Sequence, residues 1–246
     1  MDYRSQRQLI RGDLWDEWGS LELDQKLGLP MPPLEKSYPK DATLIDLVSP
    51  KDFTIGNMPL SEAIRLRQSS RKYLPKPLSL EELSFLLWAT QGVKSIIMDG
   101  YATRRTVPSG GARHPFETYL AVMKVEDLAQ GLYRYLAIEH KLLLLSEDPE
   151  VGIKISEACA DFALESAVTF IWTAIPYRSE WRYGPLAAKL IAQDSGHVCQ
   201  NLYLACTAIQ AGTCAVGAYI QQKMDALLGV DGVDEFTVYC GPVGKI

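Results

Sequence analysis

What this chain lacks narrows its possible roles first. None of its apolar runs approaches the ~20 residues that a helix needs to cross a bilayer, so no membrane-spanning part is expected. The opening residues Met1-Asp2-Tyr3-Arg4-Ser5-Gln6-Arg7 are polar and lead into no signal-peptide core, which makes the cytoplasm the expected location. Charge of one sign is not in excess: 25 Lys and Arg stand against 30 Asp and Glu, a net charge of −5 over 246 residues. The cations are scattered apart from Arg65, Arg67, Arg71 and Lys72, so no footprint for DNA or RNA is present. Histidines are few (His114, His140 and His197), and the five cysteines (Cys159, Cys199, Cys206, Cys214 and Cys240) include no C-x-x-C pair. No metal site is expected from that inventory, and the thiols read as small apolar residues. Also missing are a G-x-G-x-x-G after a strand, a Walker A loop and a G-x-S-x-G elbow, which removes the Rossmann, nucleotide-triphosphate and serine-hydrolase readings.

With 47% hydrophobic and 22% charged residues, the chain has the composition of a packed globular protein. Residues 1–58 read differently from the remainder. Trp15, Trp18, Leu21 and Leu23 suggest a short helix, and Gly28-Leu29-Pro30-Met31-Pro32-Pro33 with Pro39 and Pro50 argues against regular structure. We expect an arm laid on a neighbouring surface, or a partly ordered extension, leading into a single domain over 59–246. In that domain Ser79-Leu80-Glu81-Glu82 is a capping box, and Leu83, Leu86 and Leu87 mark an apolar helical face ending near Gly92. Strands are expected at 116–124, 131–135, 141–145, 167–174 and 236–240, the second and third as a hairpin. Residues 186–211 read as one long helix, apolar on nearly every side, ended by Gly212 and suited to the centre of a dimer. Helices and strands interleave without strict alternation, which gives an α+β class.

Three segments carry chemistry. Arg67-Gln68-Ser69-Ser70-Arg71 puts two guanidinium forks and two hydroxyls in five residues, a compact receptor for phosphate oxygens; a solvated helix end has the same composition. In Pro108-Ser109-Gly110-Gly111-Ala112-Arg113-His114, adjacent glycines let the backbone approach a planar ligand, or simply form a turn before the strand at Phe116. Gly212-Thr213-Cys214-Ala215-Val216-Gly217-Ala218 either aims free N–H groups at a ligand or serves as a plain connector after the long helix. Asp194, His197 and Asn201 lie on one helical stripe, which reads as a hydrogen-bonded helix contact or as a polar wall beside a ligand.

In order and spacing these segments resemble the nitroreductase superfamily. The SagB-type dehydrogenase branch is closest, through Pro77–Leu83, Leu86–Gly92, Arg105–Arg113, Gly131–Tyr135 and Gly196–Ala205. The resemblance implies a nitroreductase-like fold, a central mixed or antiparallel sheet flanked by helices, and a homodimer holding FMN at each interface. It implies further that Arg67, Gln68, Ser69 and Lys245 serve the FMN phosphate and that Arg71 faces the N1–C2=O edge of the flavin. Pro108, Ser109 and Gly110 would pack on the ring and ribityl chain, and the backbone N–H groups around Val216 and Gly217 would reach N5 and O4. His114 and Tyr183 are the substrate-contact candidates, and Tyr177 and Arg178 would join Tyr183 in a lid. Ala112 stands where many members have asparagine. Trp181-Arg182-Tyr183 stands where azoline-oxidising members have a Lys-Tyr pair, and arginine cannot replace lysine as a base. The leading reading is therefore ping-pong hydride transfer from NAD(P)H through FMN to a nitroaromatic, a quinone or an activated alkene. Dehydrogenation of a peptide-derived azoline, and flavin binding without turnover, are the alternatives.

Overall fold

A computed structural model describes residues 3–163 and 165–246. Its centre is a seven-stranded sheet in the order β1 (Leu44–Asp46), β6 (Lys141–Glu147), β5 (Gly131–Leu136), β4 (Phe116–Val122), β7 (Val168–Ala174), β9 (Phe236–Lys245), β8 (Ala211–Thr213). Every ladder in it is antiparallel, so of the expected mixed or antiparallel sheet the antiparallel form is the one found. A two-stranded ribbon, β2 (Val93–Ile97) with β3 (Ala102–Arg105), lies apart from it.

Because side chains alternate along a strand, each central strand feeds two cores. Leu120, Val122, Phe170 and Trp172 point to the side of α3 (Leu80–Gln91) and α6 (Ala187–Ala208), where they meet Leu83, Leu86, Leu87, Val198 and Leu202. Tyr119, Ala121, Ile171 and Cys240 point the other way, against Val151 and Ile155 of α4 (Val151–Ala158) and Met224 and Leu228 of α7 (Gln221–Leu228). A strand covered on both faces must be apolar throughout, which is why residues 168–174 show no polar alternation. The capping box of α3 forms as expected: Glu82 N–H donates to Ser79 Oγ at 3.2 Å, and Ser79 N–H to Glu82 Oε2 at 2.9 Å.

Three expectations change. The long helix stops at Ala208, and Gly212 lies inside strand β8. A Cβ on Gly212 would lie 2.6 Å from Ser70 Cβ, so glycine there serves strand-to-strand approach and not a helix cap. Second, α6 is not buried all round in the single chain: Ala188, Ala192, Gln193, Gly196 and His197 are exposed. Third, the last strand does not end before Gly241-Pro242 but runs through to Lys245. Pro242 brings no donor, and its carbonyl accepts from Tyr73 Oη at 3.0 Å and Thr213 Oγ1 at 2.9 Å.

The arm lies on the chain's own surface. After α1 (Arg4–Arg7) come a single 3-10 turn at Asp13–Trp15 and the buried Leu23; Gln25 N–H then donates to Trp181 O at 2.9 Å, and Trp181 Nε1 to Leu29 O at 2.9 Å. Between Pro39 and Pro50 the arm supplies β1, the edge strand, which the proline spacing conceals. Among the described residues no helix is long and apolar enough to cross a membrane, and no group of three or more His, Cys, Asp or Glu is placed to hold a metal ion.

Candidate functional site

The first and third chemical segments meet beside the C-terminal half of α6. Helix α2 (Leu60–Leu66) ends at Arg67, where the backbone turns extended. Ser69 then pairs with Thr213 in a parallel bridge, and Ser70 N–H donates to Thr213 O at 2.9 Å. Tyr203 of α6 joins the two. Its hydroxyl accepts from Ala215 N–H at 2.8 Å and lies 3.0 Å from Ser69 Oγ, while the Arg67 guanidinium sits over its ring, 5.3 Å from the centroid. A cleft of 430 Å³ opens here between Leu66, Gln68, Ser70, Tyr203, Gly212 and Ile246. Arg71 is exposed, and neither it nor Arg67 enters an ion pair among the described residues. Lys245 is differently placed: its ammonium is paired with Glu82, so it reaches this cleft only by leaving that carboxylate.

In the glycine loop one assignment fails. Val216 N–H donates to Cys240 O at 2.8 Å and its side chain is buried, so this amide is already used within the protein. Gly217 is exposed, with nothing within 4 Å of the position a Cβ would take, and it is the residue of the pair that faces outward.

The second segment sits elsewhere on α6. Gly110 N–H donates to both carboxylate oxygens of Asp194 at 3.3 Å, and His114 N–H to Ser109 Oγ at 2.9 Å. Gly111, Ala112 and His114 all have positive φ (59°, 55° and 45°), a tight and strained turn of the kind that clusters at binding sites. Pro108 is exposed at its edge. Burial pushes the Asp194 carboxyl up from its ordinary range, while hydrogen bonds from Ser109 and Gly110 oppose the shift. Of the stripe of Asp194, His197 and Asn201, two members are bonded: Asp194 accepts from Gly110 N–H and Asn201 Nδ2 donates to Ala89 O of α3 at 2.8 Å, while His197 is exposed and lies 3.7 Å from Asp194. From Asp194 to Tyr203 is nine residues, or ~14 Å along the axis at ~1.5 Å per residue. In one chain, therefore, the loop that resembles a ring contact and the cluster that resembles a phosphate receptor stand apart.

Neither substrate-contact candidate is open to solvent. The His114 ring is 4% exposed, and burial together with the neighbouring Arg105 pushes its pKa down to about 3, which leaves it neutral. Tyr183 of α5 (Tyr177–Tyr183) is covered by the arm, with the Trp15 and Trp18 rings at 6.0 and 6.4 Å. In the same helix Arg178 is buried in an ion pair with Glu117, whereas Tyr177 stays at the surface and donates to Asp24 of the arm at 2.8 Å. The residues that sequence reasoning missed are Tyr203, Asp194 as the acceptor for Gly110, and the two arm tryptophans. Each acts through a contact between segments distant in sequence, and helical periodicity carries no such signal.

Fold and site together define an α+β protein built on an antiparallel sheet, with a cleft at one end of its long helix. Comparison with known proteins gives the family. The family model described as Nitroreductase family matches residues 64–245. The chain belongs to the nitroreductase family, whose members are oxidoreductases. A Methanocaldococcus jannaschii protein bearing the nitroreductase name is 32% identical over 193 residues, covering 78% of this chain and 93% of that one. The trifolitoxin-processing protein TfxB of Rhizobium leguminosarum bv. trifolii is 32% identical over 143 residues, or 54% of this chain and 38% of its own length. Among solved structures, a protein named as a nitroreductase from Anabaena variabilis superposes with a TM-score of 0.73 at 26% identity, over 93% of this chain and 43% of that one. The chain thus spans less than half the length of two of these relatives. A Desulfovibrio desulfuricans protein solved in complex with FMN shares the fold, with a TM-score of 0.51 at 19% identity over 76% of this chain and 86% of that one.

Proposed function

We propose that this chain is an FMN-dependent oxidoreductase that works as a homodimer in the cytoplasm. The observation that carries the reading is the junction of Arg67, Ser69 and Tyr203 with the glycine loop. The Arg67 guanidinium, without a carboxylate partner, and the Ser69 hydroxyl meet at Tyr203, beside a cleft lined by Gln68 and Ser70, with Glu62 at its edge; Arg71, four residues on, is exposed, and these donors suit a phosphate dianion. FMN bound there would supply hydride transfer between NADH or NADPH and a small organic acceptor such as a nitroaromatic, a quinone or an activated alkene.

The residues then have distinct tasks. Arg67, Gln68 and Ser69 anchor the phosphate. The fixed charge of Arg71 favours negative charge on the ring edge it faces. Gly217 admits close approach because no side chain occupies its outer face. Ser109 and Gly110, anchored on Asp194 ~14 Å along α6 from Tyr203, meet the ring of the other subunit's site, as the family resemblance implies. The exposed Ala188, Ala192 and Gly196, four residues apart on α6, offer a second helix a shallow face for that pairing. Such catalysis depends on positioning and needs no protein acid, which agrees with a neutral, buried His114.

The test is direct. The purified chain is expected to be yellow, to release FMN on denaturation and to bleach anaerobically with NADH or NADPH. Colourless protein that takes up no FMN in excess refutes the reading. The likeness to TfxB favours a second reading, dehydrogenation of a peptide-derived azoline in the manner of the SagB-type branch. Arg182, where that chemistry has a lysine, counts against it, and bleaching by a nicotinamide cofactor but not by an azoline peptide decides between the two.

A further inference from the structure

Around Gly111 the fold collects two cations and, among the described residues, no anion to pair with them. Arg113 donates from Nε to Gly111 O at 3.2 Å and from Nη2 to Tyr101 O at 2.8 Å, with its guanidinium 4.5 Å from the Tyr101 ring centroid and 5.6 Å from that of Trp181. Arg182 donates from Nη1 to Tyr101 Oη at 3.2 Å and lies 5.5 Å from the Tyr183 ring centroid. Its Nε is buried without a hydrogen-bond partner. Both side chains converge because position 111 is glycine: a Cβ there would meet Tyr183 Oη at 2.5 Å and Arg182 Nε at 3.1 Å. Neither guanidinium joins any ion pair among the described residues. Burial and the nearby Arg182 hold the Arg113 pKa below its ordinary value, the mark of like charges pressed together.

Two neighbouring cations in an aromatic setting repel each other, and an orphaned buried N–H adds its own desolvation cost. A planar anion at the half-buried end of Arg182 would relieve the repulsion. Arg113 is buried, with Nε and Nη2 held by backbone carbonyls, whereas Arg182 is half-buried and offers the approach. The Trp15 ring of the arm, 40% exposed, stands beside Tyr183 and supplies a flat apolar face at that entrance. We propose that Arg182, backed by Arg113, binds the carboxylate of a small aromatic acid, whose ring lies against the exposed part of the Trp15 ring. That this acid is the electron acceptor rests on the redox reading above; the anion site itself does not.

The experiment is calorimetric titration of the purified full chain with benzoate and with benzamide, its uncharged counterpart. A charge-assisted hydrogen bond that benzamide cannot match predicts benzoate binding about tenfold tighter or more. Arg182→Gln should abolish that preference and leave benzamide binding and the melting temperature close to wild type, and Arg182→Lys should restore part of it. A purely structural pair of arginines would give no such discrimination. Equal affinities for the two ligands, no measurable benzoate binding, or a preference that survives Arg182→Gln would each overturn the proposal. Protein that binds no FMN but prefers benzoate would sink the redox reading and leave this site standing; a flavoprotein indifferent to the carboxylate would do the reverse.

Discussion

Removing one oxygen tests whether the two cofactor-like segments act together. Tyr203→Phe keeps the ring beneath Arg67 and deletes the hydroxyl that accepts from Ala215 N–H at 2.8 Å and lies 3.0 Å from Ser69 Oγ. Since the oxygen accepts from an amide, its own proton is free to be given to Ser69. The two hydrogen bonds contribute roughly 0.5–1.5 kcal/mol each, so the loss should be about 1–3 kcal/mol. In a chain of this size ~1 kcal/mol moves the melting temperature by ~2–4 °C, which predicts a fall of around 6 °C by circular dichroism. The same change loosens the loop against the Arg67–Ser69 segment, and an ordering cost of ~1.4 kcal/mol would weaken FMN binding about tenfold, read from the quenching of flavin fluorescence. Combined with Ser69→Ala in a double-mutant cycle, the two substitutions should couple by about 1 kcal/mol, because they remove one shared bond. An unchanged melting temperature with unchanged FMN affinity would refute the account of this junction. A lower melting temperature with unchanged FMN affinity would leave the contact intact and remove the ligand from it.

Arg67→Ala should weaken FMN by ~10-fold or more while riboflavin binding changes little, because only the phosphate meets the guanidinium; equal losses for both ligands would move the phosphate elsewhere. Glu35→Gln should stabilise the protein in a pH-dependent way. Burial, with Glu117 and Glu139 nearby, raises the Glu35 pKa from 4.5 to about 7, although its carboxylate accepts from Ile138 N–H at 3.1 Å. The folded chain therefore holds this proton more tightly than the unfolded chain, so the cost is absent below pH 4.5, grows between there and about 7, and is full above. Calorimetry should find a higher melting temperature for the variant at about pH 8 and little difference near pH 4; a gain of equal size at both would show that charge burial is not the cause.

Local chemistry explains what could be read in advance. The capping box of α3, the hairpin of β5 and β6 and the doubly covered β7 follow from the residues that form them, because capping, pairing period and burial act over a few positions. The Arg67–Arg71 segment likewise stands out as a cluster of hydrogen-bond donors, since they are neighbours in sequence. Its companion was harder to read. A run of small residues from 205 to 217 has one composition whether it continues a helix, pairs as a strand or forms a loop. Only pairing with Gly244 of β9 makes Gly212 part of a strand, and only pairing with Cys240 takes the Val216 amide out of service.

The sequence alone, then, determined the α+β class, the helices α3 and α6, the five longer strands of the sheet and which segments carry charge and glycine. Tertiary structure decided how those segments combine: that Tyr203 bridges the first and third, that the second stands ~14 Å away along α6, and that the arm covers Tyr183. The physical reason is range. Helix caps, strand alternation and turn residues are set by interactions between near neighbours, whereas a site is made of contacts between residues such as Ser69 and Tyr203, 134 positions apart, which exist only once the chain has closed on its core.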